Sequence, residues 1–416
     1  MKKKILRIMS LLCTAMLLGG GTAMSESNYF GQDAGKAWYD EMLARALLLT
    51  GNNLRLLQMI ERARAGEDIT IATIGGSITE GAGASKYADC YASRFAKGFA
   101  QRYGAGDGSN VHFINAGVGG TPSTFGLMRY ANDIVGRVRD SDGLPDLVVI
   151  EFAVNDYNEP TKHRCYESLL KTILSQPNDP VVILLFSVFQ DGGNLQEGFL
   201  PIGRAYDVMM VSIRDGAYPL VGKEWTIKQF FSDEYHPTSL GHAVMADCLL
   251  YAVETAAAQE PSLQDIDLDI PPVYGDDFMG LQTIYAGRIP DGVQLDRGGF
   301  VHDDKRSFQN IPIGRVCGEN FHHAAGDPKE PLTFTSTFKK LLIAFRATNE
   351  ADFGRAQVKV DGRIVAVIGG GPDKWGQSEV ILALDTSAAA EHTVVIEMTN
   401  RTTDKKFTIT AIGIVP

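Results

Sequence analysis

The chain contains little cysteine, and its cysteines lie far apart in the sequence. Only 5 of the 416 residues are cysteine, and none forms a Cys-x-x-Cys pair. This spacing argues against a metal site built from cysteine ligands. An exported protein can form disulfides, but buried free thiols are an equally good interpretation, and the sequence leaves both open for Cys90, Cys165, Cys248 and Cys317.

The chain also lacks an excess of positive charge. It has 39 lysines and arginines against 50 aspartates and glutamates, and its formal net charge is −11. An acidic chain is poorly suited to nucleic acid or to anionic membrane surfaces, because the phosphates of both would be repelled. The composition therefore favours a neutral substrate.

Beyond its first residues, the chain has no apolar run long enough to cross a membrane. Residues 1–4 are basic, 5–18 are apolar and 19–23 are small. This order is typical of a secretory signal peptide, predicted here over residues 1–24. The apolar stretch is short for a membrane span of about 20 residues, so a cleaved peptide is favoured over an anchor. We therefore expect an exported protein that is secreted, periplasmic or held at the cell surface, without stable membrane insertion.

The central part of the chain alternates between strand and helix patterns. After an N-terminal lead over 25–67, interpreted as two helices, the apolar runs predict strands at 69–75, 111–116, 146–152 and 181–188. Helices are predicted between and after them, near 87–103, 123–139, 162–176, 198–216 and 238–258. Alternation of this kind predicts an α/β domain over 68–259 with a doubly wound parallel sheet.

The C-terminal part of the chain has a β pattern. A linker rich in proline and acidic residues, 260–277, separates it from the α/β domain. Short apolar runs with polar turns follow, including a hairpin at 358–367 that turns at Asp361-Gly362. The absence of helical patterns predicts a β-sandwich domain over 278–416.

Four polar clusters follow predicted strands or precede the last predicted helix. Each one alone is weak, because serine, asparagine and glycine also form helix caps and turns. Together they lie where open parallel sheets carry their active sites, at the carboxyl ends of the strands. The clusters are Gly75-Gly76-Ser77, the glycine-rich segment 115–121, Val154-Asn155-Asp156 and the segment 232–237.

These clusters resemble the blocks of the SGNH hydrolase superfamily, also called GDSL esterases and lipases. The resemblance covers about residues 68 to 258 and rests on four residues in the order Ser77, Gly120, Asn155 and His236. The nearby Gly117 and Gly119 are alternatives to Gly120. Two positions depart from the usual pattern: Gly76 stands where the family often has Asp, and Ala153 where it usually has Gly. These departures concern the subgroup and the pocket shape, not the nucleophile.

The resemblance implies acyl transfer by a serine. It implies that Ser77 is the nucleophile, that His236 is the general base, and that Asp233 orients the imidazole. It further implies an oxyanion hole made by the backbone amides of Ser77 and Gly120 and by the Asn155 side chain. Such a mechanism requires no metal and no organic cofactor.

The substrate expected from export, acidity and the added β domain is a carbohydrate ester. We expect an O-acetyl group on a polysaccharide or oligosaccharide, by analogy with deacetylases of the same superfamily. Phe189 and Gln190, after the fourth predicted strand, are expected near the pocket.

Two alternatives remain open from the sequence. The first is a lipase, lysophospholipase or thioesterase of the same superfamily. The second is a carbohydrate-binding surface protein with a vestigial hydrolase, in which Trp375 would form a platform for a sugar. A core or domain-seam position for Trp375 is the favoured interpretation of that residue.

Overall fold

A computed structural model describes residues 29–139, 143–305, 317–399 and 404–416. The predicted signal peptide, residues 1–24, lies outside these ranges. None of the helices in the described ranges is long and apolar enough to cross a membrane.

The first part of the chain forms a six-stranded sheet with helices on both faces. Its strands are β1 (Leu47–Leu49), β2 (Ile69–Gly75), β3 (Val111–Gly117), β4 (Leu147–Glu151), β5 (Val181–Phe186) and β6 (Met209–Ser212). The helices are α1 (Ala37–Ala46), α2 (Leu54–Ala65), α3 (Ser77–Glu80), α4 (Tyr91–Tyr103), α5 (Ser123–Asp133), α6 (Arg164–Leu174), α7 (Gln196–Ala205), α8 (Ile227–Phe230) and α9 (Ser239–Ala257).

The strand order in this sheet is β1-β6-β5-β4-β2-β3. Strands β2 to β6 run parallel, and β1 pairs with β6 in the antiparallel direction. Strands β2, β4 and β5 are buried along their whole length. Their continuous apolar sequences follow from this, since strands covered on both faces need no polar alternation.

Two apolar cores lie on opposite faces of the sheet. Consecutive residues of β4 point alternately into them: Val149 belongs to one core and Val148 to the other. Helices α1, α2, α4 and α9 cover the first face, and α5, α6 and α7 cover the second. The sheet is therefore doubly wound, as predicted.

The structure corrects two local predictions. The segment 198–216 is not one helix, because α7 ends at Ala205 and the buried strand β6 follows. Asp207 lies between them at φ 48°, a conformation that a helix cannot continue through. The two helices expected in the N-terminal lead do form, but strand β1 lies between them and extends the sheet at one edge.

The C-terminal part forms an antiparallel eight-stranded sheet. Its strands are β7 (Gln282–Ile284), β8 (Gln294–Asp296), β9 (Phe321–His323), β10 (Leu332–Thr348), β11 (Arg355–Val360), β12 (Arg363–Gly369), β13 (Trp375–Met398) and β14 (Phe407–Val415). The order is β12-β11-β13-β10-β14-β7, with β8 on β10 and β9 on β14.

The long strands β10 and β13 pair with each other along most of their length. Their register shifts between Phe338 and Lys340, and residues on both sides of the shift, such as Phe334 and Ile343, enter one shared apolar core. The fold class predicted from the sequence, a doubly wound α/β sheet followed by a C-terminal β-sandwich domain, is confirmed.

The segment 260–277 contains no helix or strand, but it is bound along the α/β domain. The Glu167 carboxylate accepts hydrogen bonds from the backbone amides of Val273, Tyr274 and Gly275. Asp265 pairs with the buried Arg55 of α2. These contacts fix the path by which the chain reaches the β domain.

The four cysteines of the described ranges are buried free thiols. The sequence left disulfides and free thiols open as alternatives, and the structure has free thiols.

A buried ion pair between Arg129 and Asp133 connects the ends of strands β2 and β3 to the β domain. The Arg129 guanidinium donates to the carbonyl oxygens of Gly75 (3.1 Å) and Ala116 (2.5 Å), and it pairs with Asp133 at 3.1 Å. Both side chains of the pair are fully buried. Asp133 also accepts the backbone amide of Cys317 at 2.7 Å. The ends of β2 and β3 are thus tied to the C-terminal part of the chain.

Replacing Arg129 with Met should lower the free energy of unfolding by about 3–5 kcal/mol. The fully buried Asp133 carboxylate would lose its positive partner, and an unpaired buried charge is strongly destabilising. Urea denaturation at neutral pH measures the change. The matched control is Lys406→Met, which breaks the exposed pair with Asp352 and should cost less than about 1 kcal/mol. Equal losses in the two variants would contradict the assigned role.

Candidate active site

Ser77 lies where the sequence predicted it, at the carboxyl end of β2, and it is the first residue of α3. The preceding Gly76 packs directly against Asn155, since a Cβ at position 76 would lie 2.3 Å from the Asn155 Oδ1 atom. A side chain at position 76 would therefore require the Asn155 side chain to move.

His236 and Asp233 complete a hydrogen-bonded chain with Ser77. The Ser77 Oγ atom and the His236 Nε2 atom are 2.9 Å apart. The His236 Nδ1 atom lies 2.9 Å from Asp233 Oδ2 and 3.0 Å from Oδ1. A proton on Nδ1, held by the carboxylate, leaves Nε2 free to accept the serine proton. The structure thus brings together the three residues that the resemblance named as catalytic.

Asp233 is held in its ionised form by the loop around it. Partial burial favours the neutral acid, but hydrogen bonds from the His236 ring and from the backbone amides of Tyr235 and His236 outweigh it and lower the pKa of Asp233. The two amides donate to Oδ1 at 2.8 and 2.9 Å. The same carboxylate therefore shapes the loop and orients the imidazole, although about half of its surface is exposed.

Gly120 and Asn155 lie beside Ser77 at the ends of neighbouring strands. Gly120 follows β3 with φ 68°, a left-handed conformation that favours glycine. Its backbone amide has no acceptor among the described residues. Asn155 follows β4, and its backbone amide donates to the Phe152 carbonyl oxygen. Ser77, Gly120, Asn155 and His236 all line one cavity of about 620 Å³.

Glu80, which the sequence analysis did not single out, also lines this cavity. Its Oε2 atom accepts the backbone amide of Gly119 at 2.7 Å, and so holds the loop that carries Gly120. Burial raises the pKa of Glu80, although the bond from Gly119 and the charges of Arg129 and His236 act in the opposite direction. Its spacing of three residues from Ser77 on a helix was the signal that could have identified it.

The opposite wall of the cavity comes from the β domain. Trp375, at the start of β13, lies over Gly120, since a Cβ on that glycine would be 2.6 Å from the indole ring. Its side chain is 65% exposed. Trp375 therefore lies at the domain seam, as favoured from the sequence, but it is not a core residue. Arg346, Gln377 and Ser378 line the same wall.

Phe189 lines the cavity, as expected, whereas Gln190 supports the loop. The Gln190 backbone amide donates to the Glu234 carbonyl oxygen at 3.1 Å. Its own carbonyl oxygen accepts the Tyr218 hydroxyl at 3.1 Å.

Asp156, next to Asn155, is a buried support of the site. Its two carboxyl oxygens bind the backbone amide and the hydroxyl of Ser123, the first residue of α5, at 2.7 and 2.5 Å. Burial raises the pKa of Asp156 to about 8, despite these hydrogen bonds. Burial likewise raises the pKa of Glu151 to about 7. Both acids are set to bind a proton in the folded protein at a pH where they would be ionised in the unfolded chain.

The contribution of Asp156 to the free energy of unfolding should fall as the pH rises from about 4 to about 8. With a pKa of about 8 in the folded state against 3.8 as its ordinary value, Asp156 holds a proton that the unfolded chain has lost. This contribution is greatest at the acid end of the range and is lost as Asp156 is forced to ionise. The difference in free energy of unfolding between the wild type and Asp156→Asn, measured by urea denaturation, should therefore fall between pH 5 and pH 8. A difference that does not change with pH would contradict the buried, protonated state.

Comparisons with known proteins found a family that matches part of the chain and solved structures with a similar fold. Residues 73–244 match the GDSL-like Lipase/Acylhydrolase family. The fold of the whole chain is similar to the crystal structure of a two-domain esterase (CEX) active on acetylated mannans, with 24% identity, 90% of this chain and 99% of that chain covered, and a TM-score of 0.75. The same esterase co-crystallized with mannopentaose has a TM-score of 0.74, at 24% identity, covering 90% of this chain and 98% of that chain. No curated protein sequence matches the chain.

Proposed function

We propose that the protein is an exported serine esterase that removes short acyl groups, above all O-acetyl groups, from carbohydrate. The observation that carries this proposal is the hydrogen-bonded chain from Ser77 Oγ through His236 to Asp233, placed in a cavity whose other wall is the exposed Trp375 ring. The sequence of residues 1–24, which has the pattern of a signal peptide, supports export.

The proposed reaction proceeds through an acyl-serine. The Ser77 oxygen bonds to the ester carbonyl carbon while His236 Nε2 takes the hydroxyl proton. The oxyanion that forms would accept hydrogen bonds from the amides of Ser77 and Gly120 and from the Asn155 side chain. The bond to the sugar oxygen then breaks as the imidazolium returns its proton to that oxygen. Water then attacks the carbonyl carbon of the acetyl-serine while His236 takes its proton. The bond to the Ser77 oxygen breaks, the imidazolium returns the proton to that oxygen, and acetate leaves.

The cavity walls favour a sugar over a long acyl chain. Polar side chains of Glu80, Arg346 and Gln377 face the same space as the rings of Trp375 and Phe189. Flat aromatic faces next to hydrogen-bonding groups suit a polyhydroxylated ligand. The cavity also lies between two domains, and the fold is similar to that of a two-domain esterase active on acetylated mannans. The long acyl group of a lipid would bind better in a closed apolar channel.

Ser77→Ala should abolish acetate release from acetylated glycans, with a loss of up to about 10⁶ in turnover, because no other group would supply the nucleophile. Asn155→Ala should cost about 10² to 10³, because one oxyanion donor would be missing. Acetate release from acetylated mannan and acetylated xylan measures both. Full activity of Ser77→Ala would rule out the mechanism. A wild-type preference for long p-nitrophenyl acyl esters over the acetate would instead indicate a lipid hydrolase.

Trp375→Ala should lower kcat/KM on acetylated oligosaccharides by about tenfold, the scale of one lost aromatic contact of about 1.5 kcal/mol. Trp375→Phe should recover part of this loss because a smaller ring remains. The matched control is Ile364→Ala, at an exposed position of the edge strand β12. If Trp375→Ala behaved like this control, the β domain would not contribute to substrate binding.

A further inference from the structure

The α/β domain carries a row of aromatic rings that leads away from His236. The Tyr235 ring centroid lies 6.2 Å from that of His236 and 5.4 Å from that of Phe189, which it meets edge to face. Phe189 in turn lies 6.0 Å from Tyr157, with the two rings nearly parallel at 12°. We call Tyr157, Phe189 and Tyr235 the aromatic ridge. It forms a continuous surface that begins in the catalytic cavity.

Two of the three rings of the aromatic ridge are exposed, and Phe189 between them is half-buried. Tyr157 is 50% exposed and Tyr235 is 53% exposed, whereas most aromatic side chains of the α/β domain are buried. Contiguous exposed rings next to a cavity are a common mark of a binding surface, because burying them in a ligand removes apolar area from water. Trp375 provides a further exposed ring on the opposite wall of the same cavity.

Hydrogen bonds fix the loop that carries Phe189. The Phe189 backbone amide donates to the Gly193 carbonyl oxygen at 3.0 Å. The Gly193 amide donates to the Asp191 carboxylate at 2.8 Å, and the Gln190 amide binds the Glu234 carbonyl oxygen at 3.1 Å. This last bond joins the loop to the segment that contains Tyr235 and His236. Fixing Phe189 and its connection to the Tyr235 segment in this way lowers the conformational entropy that is lost on binding.

We propose that the aromatic ridge binds sugar units that neighbour the acylated one, so that the enzyme prefers a glycan chain over a single sugar. This inference rests on the proposed function and extends it to the hydrolase wall of the cavity. The apolar faces of sugar rings would lie on the aromatic rings. The hydroxyl groups of Tyr157 and Tyr235 and the carboxylate of Asp191 provide hydrogen-bonding groups beside them.

The test is the dependence of kcat/KM on chain length, measured with acetylated oligosaccharides from one to six sugar units. Tyr157 is the residue to change, because it is the member of the ridge farthest along from His236. In Tyr157→Ala, the ratio of kcat/KM for the hexamer to that for the monomer should fall by about tenfold. In Tyr157→Phe, which keeps the ring, the ratio should stay within about twofold of the wild-type value. An unchanged ratio in Tyr157→Ala would overturn the proposal.

Failure of this inference is distinguishable from failure of the proposed function. If the wild-type protein released no acetate from any glycan, the proposed function would fall and the ridge proposal with it. If it released acetate without any preference for longer chains, only the ridge proposal would fall. Equal losses of Tyr157→Ala on monomer and hexamer would indicate a structural role and would also overturn it.

A binding measurement separates the ridge from catalysis. In a Ser77→Ala background, unacetylated hexamer should bind about tenfold more weakly when Tyr157 is also changed to Ala, as measured by calorimetry. Equal affinities in the single and double variants would contradict the proposal. A Tyr157→Ala defect seen only with long p-nitrophenyl acyl esters would assign the ridge to an acyl chain and would also refute it.

Discussion

The structure depends on one constraint, the convergence of parallel strand ends at one edge of the sheet. Strands β2, β3 and β4 lie side by side, so the residues that follow them meet in space although they are far apart in the sequence. Arg129 reinforces this convergence by binding the carbonyl oxygens of Gly75 and Ala116. This convergence sets the positions of Ser77, Gly120 and Asn155. Asp233 and His236 lie on a separate segment, between α8 and α9.

The two domains act as the two walls of one cavity. The α/β domain carries Ser77 and His236 on one wall, and the β domain contributes Trp375 to the opposite wall. The Arg129–Asp133 pair links both, since Asp133 accepts the backbone amide of Cys317. An enzyme built in this way would recognise the polymer on both walls and carry out chemistry on one. The proposed preference for glycan esters follows from this division, together with the polar side chains that line the cavity.

Much of the fold could be predicted from the sequence, because fully apolar strands such as β2 and β4 have an unmistakable pattern. Ser77 and His236 could be predicted because their motifs occur in a fixed order, and Glu80 was accessible from its helical spacing to Ser77. The short strand β6 was missed because it follows helix α7 almost directly and continues its apolar character. The position of Trp375 over Gly120 has no local signal at all. It depends on how the β domain packs against the sheet, which is a property of many distant contacts.

The role of Ser77 is tested most directly by covalent labelling of the protein with an alkyl fluorophosphonate, followed by peptide mass spectrometry. We predict one adduct, on Ser77, because its hydroxyl is the one activated by the imidazole of His236. We also predict slower labelling in the presence of an unacetylated oligosaccharide, which would occupy the cavity between the two walls. An adduct on another residue, no adduct, or labelling that the oligosaccharide does not slow would contradict the central claim that Ser77 reacts inside a glycan-binding cavity.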